Sequence, residues 1–171
     1  MKSLIVYFSR VGETFVDGQI KPVNKGFTEI VAEKIAAISG GDLFKLEPEE
    51  PFSEYYPQAD KRAKEEYENN TLPPLKDLPQ TIKDYDVIYI GFPIFYRSYP
   101  RVIAEFFRHF DFQGKVVKPF CTNEEGSFGT AELELRALLK GATLKPGFAI
   151  RGYLADKADD NGALSRWVNA N

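Results

Sequence analysis

Cysteine is nearly missing from this 171-residue chain: Cys121 stands alone. That excludes an intramolecular disulfide and a zinc cluster built on thiolates. Histidine is as scarce, with only His109, and no serine–histidine–acid spacing accompanies it. No apolar run approaches the length of a membrane span. Charge of one sign is also lacking, because 22 lysines and arginines face 25 acids for a net charge of -3. Such a balance argues against nucleic acid as a partner, which would need a basic face. It is equally a poor basis for steering a docked protein by charge. Walker A, G-x-G-x-x-G and H-E-x-x-H sequences are absent. The start, Met1-Lys2-Ser3, leads into only five apolar residues, short of a secretory signal. The cytoplasm is therefore the expected location, and the Asn69-Asn70-Thr71 sequon is read as chance.

What is present is the make-up of a globular domain. The chain is 43% hydrophobic and 27% charged, and its length suits one domain, 1–171, around a single core. Leu4-Ile5-Val6-Tyr7-Phe8 is a short β-branched and aromatic run, the pattern of a strand buried on both faces. Glu29 to Ile38 places Val31, Ile35 and Ile38 at i, i+4 and i+7, one stripe of a helix that Ser39-Gly40-Gly41 then stops. Asp42 to Glu47 reads as a half-buried strand, and the charge-rich segment from Glu54 to Glu68, with the run Asp60 to Tyr67, as a solvated helix. Val87 to Ile90 is a second buried strand, halted by Gly91-Phe92-Pro93, and a helix follows from Arg101 to His109. Val116 to Phe120 is a strand, Thr130 to Leu139 a helix, and Thr143 to Arg151 a last strand broken at Pro146-Gly147. Gly162 to Asn171 is a short terminal helix carrying Trp167. Strands alternating with helices at this spacing predict a three-layer α/β sandwich, with a doubly wound five-stranded parallel sheet in the order 2-1-3-4-5.

In such sheets a ligand sits beyond the carboxyl ends of the strands. Three loops reach that edge: Ser9 to Thr28, Pro93 to Tyr99, and Thr122 to Gly129. A strand feeding a loop with hydroxyls and glycine that opens a helix suits a phosphate, because unpaired N–H groups there point at an anion. Ser9, Arg10 and Thr28 (or Thr14) could supply further donors; equally, Ser9 could only end a strand and Thr28 only cap a helix. Phe95 and Tyr96 could stack on a flat ring or pack beneath the following helix. Cys121 to Gly129 could edge that ring or form a plain turn.

Together these segments resemble the flavodoxin-like proteins of the short bacterial type. The resemblance lies in Tyr7-Phe8-Ser9 with a following glycine and threonine, Gly91-Phe92-Pro93-Ile94-Phe95-Tyr96 with Pro100, and Pro119-Phe120-Cys121-Thr122 with Gly126 and Gly129. It covers nearly the whole chain and implies an FMN-binding redox domain. By that resemblance Ser9, Arg10, Gly26, Phe27 and Thr28 hold the phosphate. Pro93, Ile94, Phe95 and Tyr96 flank the ring, and Thr122, Asn123, Glu124, Gly126, Ser127 and Gly129 edge it.

This chain departs from the family's compact Ser/Thr-x-Thr-Gly-x-Thr loop. It carries two partial copies, Gly12-Glu13-Thr14 and Gly26-Phe27-Thr28, fourteen positions apart. Thr28 is the expected phosphate residue because the helix begins beside it, which makes 12–25 an insertion that either folds over the site or projects outward. Glu13 and Glu29 must then face away from a phosphate. Glu124 and Glu125 stand where the family tends to have small neutral residues. The implied partners are a redox protein or a small electron acceptor such as a quinone, with no nucleic acid and no membrane. The rival expectation is a flavodoxin-like binding or regulatory module that has lost flavin.

Overall fold

The computed structural model describes every residue from Met1 to Asn171. Its parallel sheet is built from β1 (Ser3–Tyr7), β4 (Asp42–Lys45), β5 (Val87–Pro93) and β6 (Val116–Asn123), with two short strands, β7 (Thr143–Leu144) and β8 (Phe148–Arg151), sharing the last position. The order is β4-β1-β5-β6, followed by β7 and β8 end to end beside β6. This is the expected 2-1-3-4-5 arrangement with its fifth strand broken in two. Helices α1 (Phe27–Ser39), α2 (Tyr56–Asn69), α3 (Arg101–Arg108), α4 (Ala131–Leu138) and α5 (Ala163–Asn169) complete the layers, with a short 3-10 helix at Gly152–Lys157. None of the helices is long and apolar enough to cross a membrane.

Strand alternation sorts the apolar side chains into two cores. Leu4, Val6, Phe8, Ile88, Ile90 and Phe92 pack on one face of the sheet beneath α3 and α4 residues. Ile5, Tyr7, Val87, Tyr89 and Phe120 pack on the other, against Val31 and Ile35 of α1 and Leu164 and Val168 of α5. Burial on both faces is the reason these strands read as unbroken apolar runs.

Two strands run further than their sequence suggests. Gly91-Phe92-Pro93 does not halt β5 but pairs with Phe120-Cys121-Thr122. Gly91 is a seat and not a breaker: a Cβ there would lie 2.0 Å from the Phe120 ring. Pro119 sits inside β6 without the N–H that a ladder needs. The Val117 carbonyl, two residues earlier and facing the same way, accepts from the Lys145 N–H at 2.9 Å. Pro119 therefore faces the last strand position, where the chain breaks between Leu144 and Phe148.

The segment between β1 and α1 forms an antiparallel hairpin of β2 (Gly12–Val16) and β3 (Gln19–Val23), paired from Gly12↔Val23 to Val16↔Gln19. Asp17 and Gly18 turn it with φ of 50° and 82°. Both central residues at positive φ are what a tight hairpin twist requires, and Asp-Gly is the dipeptide that tolerates it. Asp17-Gly18 is a hairpin signal that the sequence carries inside an otherwise polar stretch. Helix α2 starts at Tyr56, inside the expected charge-rich segment, with Pro57 in its first turn.

Lys118 is buried in β6, and its Nζ donates to the carbonyls of Trp167, Val168 and Ala170 at 2.8, 3.1 and 2.8 Å. Burial, with Lys145 nearby, holds its pKa below the ordinary lysine value. It serves as a C-terminal cap for α5 delivered from the sheet, matching a cation to the negative end of the helix. Lys118→Met, of similar shape but without donors, is expected to lose about 2 kcal/mol of stability in urea unfolding, with α5 the first element to lose protection from hydrogen exchange.

Candidate cofactor site at the carboxyl edge of the sheet

Helix α1 starts hard against the end of β1. Gly26, its N-cap, makes no side-chain cap, and a Cβ at that position would fall 2.0 Å from Ser9 Oγ and 2.7 Å from the Arg10 carbonyl oxygen. Ser9 Oγ accepts the Glu29 N–H at 3.1 Å. The Phe27 and Thr28 N–H groups have no protein acceptor and remain at the positive end of the helix. Thr28 is 1% exposed, and its Oγ1 shares a 2.8 Å hydrogen bond with Thr122 Oγ1 at the end of β6. Phe27 lies over Gly152, where a Cβ would be 2.3 Å from its ring.

The acids flanking this helix start are turned away from it. Tyr7 Oη donates to Glu29 Oε1 at 3.2 Å and Lys45 Nζ lies 3.4 Å from the same oxygen. Burial, then Glu29, push the Tyr7 hydroxyl above the usual tyrosine range. Glu13 Oε2 accepts the Tyr56 N–H at 3.0 Å. Arg10 is spoken for as well: its Nε and Nη2 donate to the Ser53 carbonyl at 3.0 and 2.8 Å, and its Nη1 to the carbonyl of Glu13. An anion at the α1 start would therefore meet backbone N–H groups and hydroxyls instead of a free cation.

The second and third loops face each other across the opening. Tyr96 turns at φ 63°. Its ring packs against Tyr67 of α2 at 5.4 Å, and the Arg97 guanidinium lies 4.9 Å from the ring centre. Phe95 is locked from below by Phe8 and Phe52, at 5.7 and 5.2 Å. In the third loop Asn123 is the organiser. Its Oδ1 accepts the N–H groups of Gly126 and Ser127 at 2.6 and 3.0 Å, while its Nδ2 donates to the Ser127 carbonyl at 2.6 Å. Cys121 is buried beneath, with its thiol pushed upward by burial, and acts as a core residue.

All three loops line one cavity of about 430 Å³, within the roughly 300–1,000 Å³ usual for small-molecule sites. Of the residues singled out in the sequence, Ser9, Arg10, Phe27 and Thr28 line it at the first loop. Pro93, Ile94, Phe95 and Tyr96 line it at the second, and Thr122, Asn123, Glu124, Ser127 and Gly129 at the third. Gly26 and Gly126 do not. Gly26 supports the wall from behind through its contact with Ser9, and Gly126 turns the third loop at φ 68° against Arg151. No group of three or more acids, histidines or cysteines could hold a metal ion.

Sequence reasoning missed a whole wall. Beside Thr14, the alternative to Thr28 in the sequence, Phe15 and Val23 of the hairpin line the cavity, as do Tyr56, Ala59, Asp60 and Ala63 of α2. Thr14 and Thr28 thus both line the cavity. The α2 residues stand at i, i+3, i+4 and i+7, a face legible as helical, but nothing local says what that face covers. Arg97, Glu125, Thr130 and Gly152 complete the rim.

Gly26→Ala tests the close approach on which the α1 start depends. Because Gly26 has an ordinary φ of -67°, the added methyl acts only by collision with Ser9 and Arg10. The variant is expected to lose about 1–3 kcal/mol, read as a lower Tm, with faster hydrogen exchange in the first turn of α1.

The sequence model of the flavodoxin family matches residues 22–171. Among curated proteins none matches the chain. A candidate flavoprotein from Bacteroides uniformis is 27% identical with a TM-score of 0.73, over 93% of this chain and 96% of that one. A second, from Bacteroides eggerthii, is also 27% identical, with a TM-score of 0.70 over 94% and 96%. A flavoprotein from Lactobacillus acidophilus, solved in complex with FMN, shares the fold at 18% identity and a TM-score of 0.68, over 94% and 96%. With its sheet order, its three converging loops and a family match over most of its length, the chain belongs to the flavodoxin family.

Proposed function

We propose that this protein binds FMN and uses it to move electrons, reducing small acceptors such as quinones or passing electrons to a redox partner. The observation that carries the reading is the convergence of three loops on one cavity. At one end are the free N–H groups of Phe27 and Thr28 and the hydroxyls of Ser9 and Thr28; at the other are Phe95, Tyr96 and the third loop. The first end suits a phosphate and the second a flat ring. Family membership and the FMN complex of the Lactobacillus acidophilus relative support the same assignment. Bound FMN supplies the redox chemistry, and the chain supplies binding and electrostatic tuning, so no side chain is assigned as an acid or base. The extra wall formed by α2 and the hairpin favours small acceptors over a docked protein. The proposed compartment is the cytoplasm, in keeping with a lone buried cysteine, Cys121.

The purified protein is expected to be yellow, or to quench FMN fluorescence and gain thermal stability on titration with FMN. A colourless protein that does neither would instead be a flavin-free binding module. Stopped-flow oxidation of NADH or NADPH, with and without a quinone, separates reductase from carrier.

The acids of the third loop give a second prediction. Reduced flavin gathers negative charge at its pyrimidine edge, and a carboxylate 4 Å away opposes it by about 1 kcal/mol in bulk water, more where water is excluded. Glu124→Gln and Glu125→Gln are measured separately by redox titration. The reduction potential is expected to rise in whichever variant removes a carboxylate facing the ring, and unchanged potentials in both would refute the idea.

A further inference from the structure

The hairpin does not project outward; it folds back across the cavity, and its two ends are held very unequally. Its base is fixed at several points. The Glu13 N–H donates to the Glu54 carbonyl at 2.7 Å, the Glu13 carboxylate holds the Tyr56 N–H, and Arg10 donates to Ser53. The Phe15 and Tyr56 rings also meet edge to face at 5.1 Å. Its tip has one hydrogen bond to the rest of the protein, from the Gly18 N–H to Glu124 Oε1 at 3.2 Å, which bridges the turn to the third loop. Arg151 lies close by. Its pKa is raised first by a hydrogen bond to Tyr153 and further by the Glu124 and Asp17 carboxylates.

The other oxygen of Glu124 is the anomaly. Three buried side-chain polar atoms in the chain have no hydrogen-bond partner: Glu66 Oε1, Arg101 Nε and Glu124 Oε2. Of these residues only Glu124 lines the cavity. A carboxylate oxygen withdrawn from water and left without a donor is costly, and a ligand with an N–H or O–H relieves that cost. FMN carries both kinds: the imide N–H of its ring and the hydroxyls of its ribityl chain.

We infer that Glu124 couples the hairpin to the cofactor, its Oε1 holding the Gly18 N–H at the hairpin tip while its Oε2 accepts a hydrogen bond from bound flavin. The inference rests on the FMN reading above. Flavin bound in this way fixes the orientation of the carboxylate, which fixes the tip, and the closed strap then retards flavin release. Glu124 is a positioning and binding residue, and the hairpin is the element it positions. Glutamine puts an NH2 group, a donor, where one of the two carboxylate oxygens stood, so the tip and the flavin can no longer be held by separate oxygens.

The test combines hydrogen exchange of the 12–23 segment, with and without FMN, and FMN dissociation rates in the intact chain, Glu124→Gln and Glu124→Ala. FMN is expected to slow exchange in the hairpin of the unaltered protein. In both variants FMN is expected still to bind but to leave the hairpin's exchange rate unchanged, and to dissociate about tenfold faster or more. N3-methyl-FMN identifies the donor. Loss of hairpin protection with that analogue assigns it to the imide, and retained protection assigns it to the ribityl hydroxyls; both keep the coupling. FMN binding without any change in hairpin exchange, or a glutamine variant indistinguishable from the original, overturns the inference. A protein that fails the FMN titration itself removes the cofactor reading first, and the coupling with it.

Discussion

How closely the first turn of α1 can approach the end of β1 sets the geometry of the whole carboxyl edge. The approach is possible only because Gly26 has no side chain, which lets Ser9 Oγ reach the Glu29 N–H. With α1 seated there, the Phe27 and Thr28 N–H groups face the cavity and Thr28 meets Thr122 at the end of β6. The hydroxyl pair joins the first loop to the third across the sheet. Phe27 in turn rests on Gly152, tying the same turn to the chain beyond β8. Small residues and hydroxyls thus bring parts of the chain more than a hundred positions apart to one rim.

The charged residues nearest the α1 start satisfy the polypeptide itself and are not gathered for a ligand. Arg10 serves the carbonyls of Ser53 and Glu13, Glu29 binds Tyr7 and Lys45, and Glu13 holds the start of α2. What remains for an anion is neutral: backbone N–H groups at a helix terminus and hydroxyl donors. Such a site favours a phosphate through fixed dipoles without a permanent counter-charge.

The hairpin folds over the edge of the sheet as part of the site. It extends the site with Thr14, Phe15 and Val23, and it is fixed at its base by bonds to residues 53–56 while its tip meets Glu124. Loop regions of this kind hold lower local stability than the sheet beneath them. The base is anchored at several points and the tip by one hydrogen bond.

The order of strands and helices was legible from the sequence, because strands buried on both faces must be apolar throughout and helices must carry a stripe. Leu4–Phe8, Val87–Ile90 and the Val31–Ile35 spacing settle that much. The three loops, and most residues that line the cavity, were also within reach, since a parallel sheet delivers every βα loop to one edge. Tertiary structure alone decided the rest. That Gly91 continues a strand depends on the Phe120 ring above it, and that Pro119 is tolerated depends on a gap in the neighbouring strand. That Thr14 and Thr28, fourteen positions apart in the chain, both line one cavity follows from the hairpin folding back. Neither the α2 wall nor the divided duty of Glu124 has a local signature: each arises from contacts between segments that the sequence keeps far apart.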